Sequence, residues 1–385
     1  MPDRPLGLYI HWPYCISKCP YCDFNSFVGQ ATDAQKLRTA YLEELENSYR
    51  ETPHHQLKTI FFGGGTPSLM PPELARDLIE AAKSLWSVRD DIEITLEANP
   101  ATVDQDRFVA FRDAGVNRLS LGIQSLDDQV LTFLGRKHSA QEAIHALEMA
   151  REIFPRFSFD LIYAYVGQTL SFWEDTLRRG LAFAKGHISL YQLTIEPGTA
   201  FYGRAARGEK LTVDDDLGAE LYELTGRILK EADFYNYEIS NYAQKGQESQ
   251  HNLIYWRYQD YVGIGPGAHG RYKNTLDEKI ATQCLRGPEP WADRVLEQGC
   301  GYQSTESLSP ETQALEMIMM GLRLEEGIEF KRFSSEIGHP IENFINASQL
   351  QLLEKEGYLR KSPTTLSLTP QGRNNLNSIL KMLVE

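Results

Sequence analysis

A chain of 385 residues with 42% hydrophobic residues can bury the core of one large domain and a smaller one. Its formal net charge of −14 argues against a general nucleic-acid partner, whose phosphates need clustered Lys and Arg, and suits a soluble cytoplasmic enzyme. No apolar run approaches the roughly 18 residues of a membrane span, and Met1-Pro-Asp-Arg-Pro5 leads into a strand rather than a secretory leader.

In chain order, the first predicted strand is Leu8–Trp12, in the apolar run Leu6-Gly-Leu-Tyr-Ile-His-Trp12. A short loop then carries Cys15-Ile-Ser-Lys-Cys19-Pro-Tyr-Cys22. Three thiolates this close can hold three irons of a cubane and leave the fourth iron open, whereas clusters that only carry electrons mostly take four cysteines. A zinc loop would want a fourth ligand, and a disulfide remains the other reading. The five cysteines are odd in number with three clustered, which fits a reducing compartment and a metal site. Cys284 and Cys300 read as incidental thiols.

Strands predicted at Thr59–Gly63, Glu93–Glu97, Arg118–Gly122, Phe157–Ile162 and Ile188–Leu193 alternate with helices at Gln35–Arg50, Pro72–Trp86, Gln105–Ala114, Ala140–Ile153, Phe172–Ala184 and Asp215–Ala232. This alternation predicts an α/β fold with a parallel sheet and right-handed crossovers, the active site lying where strands run into βα loops. Several residues fall at those strand ends. Gly63, Gly64 and Gly65 allow close backbone approach to a ligand, with N–H and C=O groups for its polar end, and Thr66 adds a hydroxyl. Glu97 suits ribose hydroxyls or an ammonium group, although an exposed loop glutamate reads the same. Gln124 points to the same rim. Arg136 can clamp a carboxylate. Asp160, if buried, needs a partner such as Arg136.

Residues 236–305 are less regular and rich in Gly, Tyr and Asn. They contain His251-Asn-Leu-Ile-Tyr255-Trp256 and Tyr261-Val-Gly-Ile-Gly-Pro-Gly-Ala-His269. Imidazole can ligate haem iron and the aromatics can stack on a flat macrocycle, but from the residues alone a structural aromatic cluster around a hydrogen-bonded histidine is the stronger reading. From 306 onward a helix from Ser309 to Gly321, a helix over Ile341–Glu356, a hairpin of Tyr358–Lys361 with Leu366–Leu368 and a last helix after Thr369-Pro370 predict a winged-helix-like arrangement. Glu outnumbers Lys and Arg there, as in a packing or partner module rather than a DNA reader.

The run C-x3-C-x2-C, with aromatic Tyr21 before its last cysteine, resembles the radical S-adenosylmethionine (SAM) superfamily. The resemblance implies a partial (β/α)6 TIM-type barrel, a [4Fe-4S] cluster on Cys15, Cys19 and Cys22, and SAM on the open iron. Over most of the chain the motifs resemble the oxygen-independent coproporphyrinogen dehydrogenase family. In that family the residues matching Tyr9, Gly64, Gly65, Thr66, Glu97, Gln124, Arg136 and Asp160 contact SAM; Tyr21 is expected beside them. The dehydrogenase carries a fourth motif cysteine where this chain has Phe24, and an N-terminal extension before the motif. These departures, with H-N-x-x-Y-W, are similar to the haem-chaperone branch. For that branch His251, Tyr255 and Trp256 are implied to handle haem at the open mouth of the barrel, with His11 and His269 as weaker ligand candidates. Tyr163-Ala-Tyr-Val-Gly-Gln168 departs from the Gly-Leu-Pro-Gly-Gln that the family often shows.

The resemblance therefore implies a haem chaperone that passes haem to acceptor haem proteins, membrane-associated respiratory enzymes among them, with an electron donor for the cluster. The alternative is oxidative decarboxylation of coproporphyrinogen propionates; a radical methyltransferase is a third. The expected division is a core at 1–235, a connecting segment at 236–305 and a C-terminal domain at 306–385.

Overall fold

The computed structural model describes residues 4–384. All six predicted strands form: β1 (Arg4–Trp12), β2 (His55–Gly64), β3 (Ser87–Ala98), β4 (Arg118–Gln124), β5 (Arg156–Tyr163) and β6 (His187–Gln192). They pair in parallel in that order, with the predicted helices as crossovers. The result is an open, partial (β/α)6 barrel.

The two-residue period of a strand sorts each strand between two faces. Leu6, Leu8, Ile10, Ile60, Phe62, Ile94, Leu96, Leu119, Leu121, Phe159 and Leu161 alternate along the strands and join one buried cluster with the helices. The intervening positions include Tyr9, His11, Gly63, Glu97, Gly122, Gln124 and Asp160. The apolar face thus provides the packing energy, about 25 cal/mol per Å² of apolar surface removed from water, and leaves the other face free for polar side chains.

The stretch read as an irregular connector is part of the sheet. β7 (Tyr235–Glu238) and β8 (Asn241–Ala243) extend it antiparallel beyond β6. β9 (Asp260–Ile264) pairs in parallel with β1 on the opposite side, and β10 (His269–Lys273), β11 (Lys279–Cys284) and β12 (Tyr302–Ser307) follow antiparallel. Twelve strands form this sheet among the described residues. The segment looked irregular because its strands are short and several lack a polar–apolar alternation.

The C-terminal region runs helix Pro310–Gly321, strand Ile328–Glu329, helix Phe330–Ile337, helix Ala347–Lys355, then strands Leu359–Lys361 and Thr365–Leu368. That is the element order of a winged helix. The expected helix over 341–356 breaks because Asn346 caps a new start, its side chain accepting from the Ser348 and Gln349 N–H groups. Helix Phe330–Ile337 was not foreseen. The acidic C-terminal surface meets basic side chains of the core: Arg271 of β10 with Glu316 at 3.1 Å, Lys273 of β10 with Glu336 at 2.9 Å, and Arg257, at the end of helix Gln250–Trp256, with Glu326 at 2.7 Å. The buried Glu238 carboxylate takes Arg323 at 2.6 Å. Among the described residues no helix is long and apolar enough to cross a membrane.

Candidate functional site

The cysteine loop leaves the end of β1 and is tied down by backbone. Gly65 N–H donates to Trp12 O at 2.6 Å and Thr66 N–H to Tyr14 O at 2.9 Å. Gly29 N–H reaches Cys15 O at 3.1 Å, and Cys22 N–H reaches Cys19 O at 3.1 Å. A side chain at Gly65 would put its Cβ 2.7 Å from Tyr14 O, so the missing side chain is what lets β2 close against the loop. The Gly64 N–H donates to Glu97 Oε2 at 3.3 Å. The glycine N–H groups therefore have partners within the protein, and what the run offers a ligand is room rather than the expected donors.

A cavity of about 410 Å³ opens at the strand ends. It is lined by Cys15, Cys19, Cys22 and Tyr21, by Gly65 and Thr66, and by Glu97, Gln124, Arg136 and Asp160. Among the described residues no three ligating side chains close around a single ion; in a cubane each thiolate would take its own iron. Thr66 Oγ1 donates to Cys15 Sγ at 3.3 Å and Arg136 Nη1 to Cys19 Sγ at 3.4 Å. Burial, the larger influence, pushes the Cys15 and Cys22 thiols up.

Among the described residues the carboxylates of this cavity have no ion-pair partner. Arg136 donates to Gly122 O at 2.7 Å and to Cys19, and forms no ion pair with Asp160 among the described residues. The expected pair fails because Arg136 is drawn to the cysteine loop. Burial raises Glu97 to about 8, with Asp160 adding like charge, and raises Asp160 to about 6 against the Ser189 hydrogen bond and the Arg118 and Arg136 charges. Gln124 Oε1 and Arg136 Nε are buried without hydrogen-bond partners, and Gln124 holds a left-handed φ of 69°. Orphaned polar atoms and backbone strain cost free energy unless something uses them. Two unpaired carboxylates, an amide oxygen and a guanidinium facing one cavity fit a cation with hydroxyl and carboxylate groups, which is the donor and acceptor set of SAM.

A raised carboxylate pKa has a stability consequence. The folded chain holds the Glu97 proton that the unfolded chain releases near its ordinary 4.5, so stability falls as pH rises from about 4.5 toward about 8. Glu97→Gln should therefore raise Tm relative to wild type in ligand-free protein, and by more at pH 8 than at pH 5. A pH-independent difference in thermal scans would refute the buried-acid assignment.

Tyr9 and His11 line a second cavity of about 470 Å³, with Tyr255, Tyr261, His269 and Arg286. Glu97 and Phe24 line both cavities. His11 Nε2 lies 2.8 Å from the Asn25 carbonyl and must donate to it, so Nδ1 accepts from the Tyr9 O–H at 3.0 Å. Burial lowers His11 to about 4 and keeps it neutral.

The H-N-x-x-Y-W motif is placed differently from expectation. Helix Gln250–Trp256 packs on β1 and β2. His251 is 1% exposed, stacks on Phe61 at 4.8 Å, and has both ring nitrogens occupied, by Thr59 Oγ1 at 2.7 Å and Tyr255 OH at 2.8 Å. An open iron ligand at the barrel mouth is not what this geometry presents. Trp256 lies under Arg323 at 4.6 Å, toward the C-terminal domain. Of the three, Tyr255 lines the second cavity, and Trp256 lines a small separate pocket against the C-terminal domain. A helix turns successive side chains about 100° apart, so Trp256 faces away from His251 and Tyr255. Sequence reasoning missed Asn25, whose Nδ2 donates to Pro266 O and Arg286 O, each at 2.9 Å, tying the cysteine loop to the second cavity. It also missed Arg286; neither residue stands in a patterned run.

An open parallel barrel with three cysteines on its first βα loop is the architecture of a radical SAM protein, and residues 9–180 match the Radical SAM superfamily model. Residues 308–374 match the HemN C-terminal domain. The chain is 37% identical to the heme chaperone HemW of Escherichia coli over 99% of this chain and 98% of that one. It is 36% identical to the bovine radical S-adenosyl methionine domain-containing protein 1, mitochondrial, over 98% of this chain and 87% of that one. The structure superposes on the coproporphyrinogen III oxidase HemN of E. coli with a TM-score of 0.80 at 21% identity, covering 99% of this chain and 90% of that chain; at that identity the likeness concerns fold. The chain belongs to the HemW family of the radical SAM superfamily, whose membership implies a [4Fe-4S] cluster and SAM.

Proposed function

We propose that this chain is a haem chaperone, binding haem and delivering it to acceptor haem proteins, with a SAM-coordinating [4Fe-4S] cluster on Cys15, Cys19 and Cys22. The observation that carries the reading is the full-length likeness to relatives named heme chaperone HemW, joined to a second cavity beside the cysteine cavity. When bound, the cluster supplies redox-active iron with one position open to SAM. Arg136 and Thr66 hold the thiols in place. Tyr21, Gly65, Thr66, Glu97, Gln124, Arg136 and Asp160 frame the SAM pocket, while Tyr9 and Gly64, expected beside them, line the second cavity, from which the Gly64 N–H holds Glu97. His251 braces Tyr255 in the wall of the second cavity, and Trp256 braces the helix against the C-terminal domain. On this reading the chain works in the cytoplasm, an electron donor meets the cysteine loop, and the acceptors are respiratory haem proteins. The barrel ends near 235, 236–305 builds the second cavity, and 306–385 is a packing domain.

Phe24 argues against the dehydrogenase reading, because its ring stands at the wall between the cavities where the dehydrogenase has a cysteine. The test pairs two assays. Cluster-loaded protein charged with haem should restore haem to an apo-respiratory haem protein. The same protein with coproporphyrinogen III, SAM and an electron donor should form no protoporphyrinogen IX. Multiple turnover in the second assay, with no transfer in the first, would replace the chaperone by the enzyme.

A further inference from the structure

We propose that the second cavity is the haem seat, with His269 as the protein ligand to haem iron and Arg286 as the partner of a haem propionate. The assignment rests on the chaperone reading and deepens it.

Three histidines lie at or behind this cavity, and hydrogen bonding separates them. Both ring nitrogens of His11 are engaged, by Tyr9 and by the Asn25 carbonyl. Those of His251 are engaged by Thr59 and Tyr255, and the ring is buried. His269, at the start of β10, is exposed, lines the cavity, and has no side-chain hydrogen bond among the described residues. Its ring is partly desolvated in the cavity, and this, with the nearby Arg271 and Arg286 charges, lowers its pKa. Its imidazole is therefore neutral near pH 7, the form that binds a metal.

The surroundings suit a flat amphipathic macrocycle. The Phe24 ring, 54% exposed, stands at one wall, and the Tyr255 and Tyr261 rings meet edge to face at 4.6 Å on another. An exposed aromatic costs solvation that a stacked macrocycle would recover. Arg286 is exposed at the rim. Its Nε donates to Asn25 Oδ1 at 3.2 Å, and it forms no ion pair among the described residues. A guanidinium fixed at Nε and free at its outer nitrogens is set to take a carboxylate. The other nearby cation, Arg271, is already paired with Glu316. The cysteine cavity offers no imidazole, so the two ligand chemistries separate, thiolate on one side of Phe24 and imidazole on the other.

The test is a haem titration of cluster-loaded protein, followed by absorbance and electron paramagnetic resonance. His269→Ala should shift the Soret band and weaken haem binding at least about tenfold, and added imidazole should restore the wild-type spectrum. Arg286→Gln should weaken binding about tenfold with the spectrum retained, as for loss of one charge-assisted pair. His251→Gln should keep the iron-ligand signature even where affinity falls. Iron content reports that each variant is folded around its cluster. A wild-type spectrum and affinity in His269→Ala overturn the assignment while the chaperone reading stands. Absence of haem uptake by the wild-type chain overturns both.

Discussion

Cys19→Ala protein, reconstituted anaerobically, will retain almost none of the about four irons per chain that wild type holds. Cys19 is half-buried on a loop, and its thiol receives the Arg136 Nη1 hydrogen bond at 3.4 Å. Its loss removes no core packing and should change stability by about 1 kcal/mol or less. With two thiolates left, two irons of the cubane are open to solvent and the cluster has no closed set of anchors. Cys300→Ser is the matching control, because Cys300 lies outside the cysteine cavity, and its iron content should equal wild type. Iron and acid-labile sulfide analysis with the absorbance near the cluster band reads the result. A full cluster in Cys19→Ala would dismiss the three-cysteine assignment and with it the open iron.

Loss of the cluster should also be felt across Phe24. Asn25 links the loop to Pro266 and Arg286 by its side chain and to His11 by its carbonyl. The cysteine loop and the second cavity therefore share one set of hydrogen bonds, and each restricts the other.

The barrel was legible because its strands and helices obey different periods. A two-residue alternation on β1 assigns Leu8 and Ile10 to the helix side and Tyr9 and His11 to the cavity side, and the same alternation on β3 and β5 delivers Glu97 and Asp160. The cysteine loop was legible from spacing alone. What stayed hidden depends on rotation and reach. Nothing in H-N-x-x-Y-W states that Thr59, far away in sequence, will occupy His251 Nδ1. Nothing states that Arg136 will prefer a thiol and the Gly122 carbonyl to Asp160. The strands of 236–305 were missed for a related reason: β9 is sandwiched beside β1 and its Val262, Gly263 and Ile264 are all buried, so no alternation marks it. His269 stood in the sequence as a weaker ligand candidate beside His11, and the partners taken by His11 and His251 set it apart.

Gly64→Val will lower SAM affinity of cluster-loaded protein at least about 100-fold, corresponding to roughly 2.7 kcal/mol. Gly64 ends β2 with a φ of 110°, a conformation that a β-branched residue reaches only with strain of order 1–3 kcal/mol. Space is short as well as conformation: an added Cβ would lie 2.5 Å from His11 Cε1 and 2.7 Å from its Nδ1. The ring cannot swing away without giving up Tyr9 and Asn25, which hold its two nitrogens at 3.0 and 2.8 Å. The alternative response is movement of the β2 end, which breaks the Gly64 N–H bond to Glu97 and shifts that carboxylate, at the wall shared by both cavities. Either response spoils the pocket, while the cysteines, held by Trp12, Tyr14 and Thr66 contacts further along, still take up iron. Gly226→Ala, in helix Asp215–Glu231 with no atom within 4 Å of the added Cβ, should bind SAM as wild type does. Calorimetric titration on protein of matched iron content decides the matter: wild-type affinity in Gly64→Val would mean that SAM sits away from the end of β2, and the pocket assigned to it would have to move.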